Sequence, residues 1–333
     1  MTGIAPDDHA LLAHANQSIA VGSKSFAAAS RLFDERTRQG AVMLYAWCRH
    51  CDDVIDGQQA GHQASSIDRP EAQRRLARLR AQTHAVYAGQ PVDDPAFAAF
   101  AEVVQRHQIP EQDALAHLAG FEMDVLEQRY AHIDDTLQYC YHVAGVVGLM
   151  MARVMGVGEP RVLDRACDLG LGFQLTNIAR DIIEDARVGR CYLPGDWLAE
   201  MSIPAARLAD PAYRPQVAVL AQRLVAMAEP YYQSAQAGLP DLPWRSAWAV
   251  ATAALVYRRI GLQVVAAGAG AWDQRVSTSK AQKLAAVTTG LWHALRSRYQ
   301  RWPARSALLW RRPSRTSSTA PHAGVATARA NAR

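Results

Sequence analysis

The sequence predicts an all-α fold. The chain is rich in Ala and Leu, and β-branched alternation is nearly absent from it. Prolines and glycines gather between long segments with helical apolar spacing. The 333 residues are 50% hydrophobic and 20% charged, enough for a sizeable core in one large domain or two. No internal repeat of fixed period is evident.

A first helix is expected over residues 7–21. The stretch Gly22-Ser23-Lys24-Ser25-Phe26 follows it. Glycine, two hydroxyls and a lysine before a helix suit an anion site at the helix N-terminus. An ordinary N-cap by Ser23 or Ser25 reads equally well.

Next comes a helix from about Asp34 through Asp56. Tyr45, Arg49, Asp52 and Asp56 lie along it at helical spacing, so they share one face, with Asp53 beside them. Residues 57–70 read as a loop next to those carboxylates. A helix over Glu71–Tyr87 carries an arginine-rich, solvated face, and another is expected around 96–108. The helix over Asp113–Arg129 contains Glu122, Asp124 and Glu127, which do not share a stripe and are assigned no metal. Small residues at Ala144, Gly145 and Gly148, in a helix over Asp135–Met155, admit either a second helix or a long apolar ligand.

Pro160 starts the helix on which the functional argument turns. Within it Gln174, Asn177, Asp181 and Asp185 fall within roughly 80° of one another, while Ile178, Ile182 and Ile183 give the other face an apolar character. Two such carboxylate stripes could face each other across a cavity. Oxygen-rich sites of that kind suit hard divalent cations, and Mg²⁺ completes its shell with water and substrate phosphate. The competing reading is two solvated acidic faces; the Ile, Val, Trp and Cys around both stripes favour a site. Arg187, Arg190 and Tyr192 lie just beyond, where a released diphosphate could be held. Further helices are expected over about 216–237 and 244–267, with a last one after Val276.

The net charge of +5 misrepresents the body of the chain. Nine arginines and no acid lie from Arg296 onward, so the remainder is net acidic. The basic balance therefore does not argue for nucleic acid. Residues 1–297 are read as one helical domain and 298–333 as a basic, disordered tail. Trp302, Leu308, Leu309 and Trp310 in that tail could touch a membrane surface. Deletion after about residue 300 is expected to leave activity intact. Asp7, Asp8 and His9 stand where a signal peptide would be basic, and the apolar runs 143–152 and 247–257 are about half the roughly 20 residues of a membrane span. A cytoplasmic protein, peripheral at most to the inner membrane face, is expected. The five cysteines lack disulfide-framework spacing, and Cys48 and Cys51 read as packing residues.

Five stretches, in order, resemble the squalene/phytoene synthase family, and its bacterial phytoene synthase branch most closely. They are Ser23–Phe26, Tyr45–Asp56, Tyr139–Gly148, Gln174–Asp185 with Gly189–Pro194, and Trp272–Val276. The resemblance implies an isoprenoid-synthase helical bundle around a deep apolar cavity. It implies a Mg²⁺-dependent transferase, with Mn²⁺ able to substitute and no nicotinamide cofactor. The expected reaction condenses two geranylgeranyl diphosphates head to head, through a cyclopropyl diphosphate, to phytoene in carotenoid biosynthesis. Asp52, Asp56, Asn177, Asp181 and Asp185 match metal positions, with Asp53 adjacent. Ser23, Ser25, Arg49, Gln174, Asn177 and Arg180 match diphosphate positions; Tyr45, Arg49, Tyr139 and Arg180 match positions near the reacting atoms. Trp272 stands where some relatives have Tyr and is left out. Alternatives are a C15-using presqualene diphosphate or dehydrosqualene synthase, a class I terpene cyclase, and a non-catalytic helical adaptor docked on membranes by its tail.

Overall fold

A computed structural model describes residues 11–13, 15–19, 24–57 and 68–313. Part of the expected first helix, Ser23, most of the 57–70 loop and residues 314–333 lie outside the described residues. Among the described residues there is no strand.

Helix boundaries follow local chemistry. After α1 (Lys24–Ser30), Asp34 caps α2 (Glu35–Asp56) by accepting from the Thr37 N–H, and Gly57 ends it in the left-handed conformation at φ 61°. Asp68 and Asp94 cap α3 (Arg69–Tyr87) and α4 (Pro95–His107) in the same way, each followed by a proline in the first turn. α5 spans Glu111–Val125. The segment expected as one helix over 135–155 is three pieces: α6 (Ile133–Cys140), a π turn at Tyr141–Gly145, and α7 (Val146–Val154). α8 runs unbroken from Pro160 to Arg187. The short α9 (Gly195–Glu200) leads to α10 (Arg214–Gln236), α11 (Trp244–Ala267) and α12 (Lys280–Ser297), the last held by a capping box of Ser279 and Gln282.

α8 is the central rod, packed on α7, α10 and α11. Gly170 explains how close α7's side comes. A Cβ there would sit 2.4 Å from the Ala144 carbonyl oxygen, and one on Gly148 would sit 2.3 Å from that of Ala166. The small residues at 144–148 therefore admit a second helix, α8, and Ala144 and Gly148 also line the cavity described below. One core gathers around Leu171, Leu175 and Ile183 of α8 with Leu220 and Leu224 of α10. Another gathers around Trp47 of α2 and Phe97 and Phe100 of α4, where Trp47 and Phe100 stack at 4.0 Å. Side chains from both line one cavity of about 530 Å³.

By length and composition Trp244–Gly270 is apolar enough to cross a membrane, contrary to the estimate from the run 247–257. Yet Ala247, Ala251, Val256 and Ile260 are buried against neighbouring helices, as in a core helix. The chain after 297 also departs from expectation, because residues 298–313 are seated on the body. Arg305 grips the fully buried Asp168 with two hydrogen bonds, 2.8 and 2.7 Å, and Arg312 pairs with Asp164 at 2.6 Å. Leu309 is buried and Trp310 packs on Tyr141, so neither is free to meet a membrane. Leu308 alone of the four residues is fully exposed, at 97%.

Candidate active site

α2 and α8 bring their carboxylate stripes to one end of the cavity. Tyr45, Arg49 and Asp52 line it from α2, and Gln174 and Asn177 from α8. Arg190, on the turn after α8, bonds Asp56 across that end, and its charge also acts on Asp185. The two stripes thus confront one another, Arg190 between them. Arg49 pairs with Asp52 at 3.0 Å and Asp53 at 2.6 Å. Arg180 folds onto Asp181, its own neighbour, at 2.8 and 2.5 Å, and Arg275 joins the same carboxylate at 3.2 Å. Ser23 lies outside the described residues. Ser25 falls in α1, and its side chain is not described.

Crowded carboxylates raise each other's proton affinity. Burial and then Asp181 push Asp185 up to about 7, while confinement and then Asp56 push Asp52 up to about 6. Tyr45 is held neutral, raised to about 12 by burial.

Two residues that the sequence did not assign to this end belong there. Asp124 of α5, half-buried and raised by desolvation to about 6, accepts hydrogen bonds from Tyr139 (3.1 Å) and Tyr192 (2.9 Å). Those two rings stack at 4.5 Å, and all three residues line the cavity. Arg275 is the other. Trp272 is buried with the Arg214 guanidinium 5.7 Å from its ring, and it is not among the cavity residues.

Among the described residues no three His, Cys, Asp or Glu side chains are drawn together into a closed metal cage. Mg²⁺ does not need one, since it is held by one or two carboxylates with water and phosphate. The donors fit such an ion. All are oxygens, set on facing helices, and the Asn177 Oδ1 is buried without a hydrogen-bond partner while its Nδ2 reaches Gln174 at 3.3 Å. Asp52, Asp56, Asn177, Asp181 and Asp185 are the residues that could hold it.

The rest of the cavity is mostly apolar, with Arg165 and Lys283 as charged side chains in its lining. Phe121, Val143, Val147, Met151, Leu169 and Phe173 are among its walls. Such an end-to-end division suits a ligand with a charged head and a long apolar tail.

Comparison with known proteins agrees with this chemistry. The model of the squalene/phytoene synthase family matches residues 19–282. A protein named 15-cis-phytoene synthase from Enterobacter agglomerans is 59% identical over 88% of this chain and 99% of its own length. One named phytoene synthase from Pseudescherichia vulneris is 56% identical over 91% and 98%. Among solved structures, a dehydrosqualene synthase superposes with a TM-score of 0.77 at 26% identity, covering 87% of this chain and 98% of its own. A squalene synthase from Alicyclobacillus acidocaldarius shares the fold, with a TM-score of 0.69 over 80% of this chain and 97% of its own, at 18% identity. With its two acidic helices facing across an apolar hollow, and a family model matched over most of its length, this chain belongs to the squalene/phytoene synthase family.

Proposed function

We propose that the protein is a phytoene synthase: it joins two geranylgeranyl diphosphates head to head, through a cyclopropyl diphosphate, to phytoene in carotenoid biosynthesis. The observation that carries the reading is the polarity of the cavity, with Asp52, Arg49 and Asn177 at one end and a mostly apolar wall beyond, interrupted by Arg165 and Lys283. The names and identities of the two bacterial relatives support the same product.

Cavity length supports the C20 substrate. α8 lines the cavity with Asn177, Phe173, Leu169, Ala166, Arg165 and Val162. At 1.5 Å per residue, Arg165 and Val162 stand about 18 and about 22 Å from Asn177 along the axis, long enough for a C20 chain. An extended geranylgeranyl chain, at roughly 1.2 Å per main-chain bond, is also about 18 Å long. A farnesyl chain, at about 13 Å on the same rule, would stop near Leu169.

Bound Mg²⁺, or Mn²⁺ in its place, would be held by Asp52, Asp56, Asn177, Asp181 and Asp185 and would neutralise the departing diphosphate. Arg49 and Arg190 add positive charge at the same end. When the C1–O bond of one substrate breaks, the apolar walls keep water from the carbocation. The double bond of the second substrate attacks that C1, and loss of a proton closes the cyclopropane. A second ionisation, rearrangement and proton loss give the central double bond, so no hydride donor is required. Tyr45, with its high pKa, and Tyr139, fixed on Asp124, stay neutral hydroxyls beside these steps.

Contact with the cytoplasmic face of a membrane is assigned to α12 rather than to the tail. Leu284, Trp292 and Leu295, with Tyr299 just past the helix, are 50–92% exposed and fall within about 80° on the helical wheel. Arg296 lies over the Trp292 ring at 4.7 Å, and no acidic residue occurs from Lys280 onward. Apolar plus basic is the composition that an anionic bilayer surface attracts.

The test is incubation of the purified chain with labelled geranylgeranyl diphosphate and Mg²⁺, without reductant, beside a farnesyl diphosphate arm. A C40 hydrocarbon in the hexane extract is expected. Its absence overturns the reading, and a C30 product formed faster favours the C15 alternative.

A further inference from the structure

Among the described residues three arginines and Lys283 line the cavity, and two of the arginines, Arg49 and Arg190, belong to its acidic end. Arg165 lines the cavity towards the opposite end, one turn of α8 short of Val162, and a helical side chain leans towards the N-terminus, so its long stem reaches back over that turn. Among the described residues no carboxylate forms an ion pair with its guanidinium, although Asp168 and Asp241 act on it from further away. One Nη donates to the Ser234 carbonyl of α10 at 2.9 Å, and the other donates to the Pro303 carbonyl at 2.8 Å. The carboxylate one turn away, Asp168, is already held by Arg305 and by the Ser234 hydroxyl at 2.5 Å. Burial pulls the Arg165 pKa below its usual value, so keeping a charge there is costly unless its position matters.

The backbone is shaped around this side chain. A Cβ on Gly238 would sit 3.1 Å from the Arg165 Cβ and 3.4 Å from its Cδ, so the bare glycine leaves room for the stem. From outside, the segment 298–313 crosses the same end. Arg298 donates to the Leu242 carbonyl at 2.9 Å, and Arg305 fastens the chain to α8. The stem of Arg165 thus forms wall, while its head ties α8 to α10 and to the C-terminal segment.

We infer that Arg165, braced by the C-terminal segment, is the end stop of the cavity and sets the longest prenyl chain the protein accepts. The inference rests on the prenyl-diphosphate reading above and adds its length limit. A chain one isoprene unit longer than C20 would have to displace a guanidinium bonded to two carbonyls. Cutting the side chain back removes both the bulk and the tie.

Binding of non-hydrolysable C15, C20 and C25 prenyl thiodiphosphates, measured by calorimetry with Mg²⁺ present, tests this apart from turnover. The wild-type protein is expected to bind the C25 analogue at least tenfold more weakly than the C20 analogue. In Arg165→Ala that gap should shrink to threefold or less, with C20 affinity changed less than threefold. Arg165→Met, which keeps most of the stem and loses the tie, should fall between the two and serves if the alanine variant does not fold. An unchanged C20-to-C25 ratio in a folded variant, or a wild-type protein that binds both equally, overturns the inference alone. A wild-type protein that binds none of the three analogues takes down the prenyl-diphosphate reading with it.

Discussion

Arg190, on the turn after α8, donates to Asp56 at the end of α2, a residue 134 positions earlier. That pair connects the two acidic stripes. Several like charges are held close together there, most of them paired with arginines, and an apolar chamber opens beside them. Charge repulsion of this kind costs folding stability, and the cost is retained where a charged ligand is to be bound.

Asp185 makes that trade measurable. Burial and the neighbouring Asp181 raise its pKa from 3.8 to about 7. The folded chain therefore binds this proton more readily than the unfolded chain between about pH 4 and 7. As pH rises through that window, Asp185 increasingly opposes folding. Asp185→Asn removes the charge, so in chelator at pH 8 its thermal midpoint should exceed the wild type's by about 2–4 °C. That advantage should shrink towards pH 4. Turnover with Mg²⁺ should nevertheless fall by about 10²-fold or more. Calorimetry across pH and a product assay check both halves.

Asp124 is positioned to orient rather than to coordinate. It accepts from two phenols, Tyr139 and Tyr192, one on each oxygen. In Asp124→Asn the amide nitrogen can no longer accept, so one phenol loses its partner. The expected result is a fall in kcat of about 10²-fold with circular dichroism unchanged. A fall confined to KM would show that the two phenols serve binding alone.

How much of this could be read from residue order depends on distance along the chain. Asp52 to Asp56 and Asp181 to Asp185 are each one helical turn apart, so the stripes follow from the period of the helix itself. Asp124 carries no such signal, because Glu122, Asp124 and Glu127 as a set do not fall on one stripe. Its importance comes from Tyr139 and Tyr192, the latter 68 positions away, which only packing brings near. The π turn at Tyr141–Gly145 carries no apolar signature that separates it from α-helix. The C-terminal segment hides its role for a similar reason. Arginine, serine and proline look like a solvated tail until Asp168, 137 positions earlier, is found buried and needing a cation.

The α12 stripe predicts sedimentation with vesicles. Wild-type protein should co-sediment with vesicles containing about one-third anionic lipid, and less so in high salt, because screening weakens the basic contribution. Trp292→Ala with Leu295→Ala should reduce the bound fraction at least threefold without lowering turnover of micellar substrate. Equal binding by the double variant would return the contact to residues outside α12.

The pair between Arg305 and Asp168 decides whether the segment after 297 is dispensable. Asp168 is wholly buried, and Arg305 supplies two of its hydrogen bonds while Ser234 supplies another. Arg305→Ala would leave a buried carboxylate without its cation, a change that costs about 3–5 kcal/mol when a buried pair is broken from one side. Asp168→Asn in that background gives up the charge and should recover a large part of the loss. Truncation after residue 300 removes Arg305, Trp310 and Arg312 together and should destabilise at least as much, whereas truncation after 313 leaves every one of these contacts in place. Urea unfolding of the four variants orders them: full length and the 313 truncation together, then the Asp168→Asn/Arg305→Ala pair, with Arg305→Ala and the 300 truncation lowest. A 300 truncation as stable as the full chain would mean that α8 and α10 hold Asp168 without help, and that residues 298–313 are a passenger on the fold.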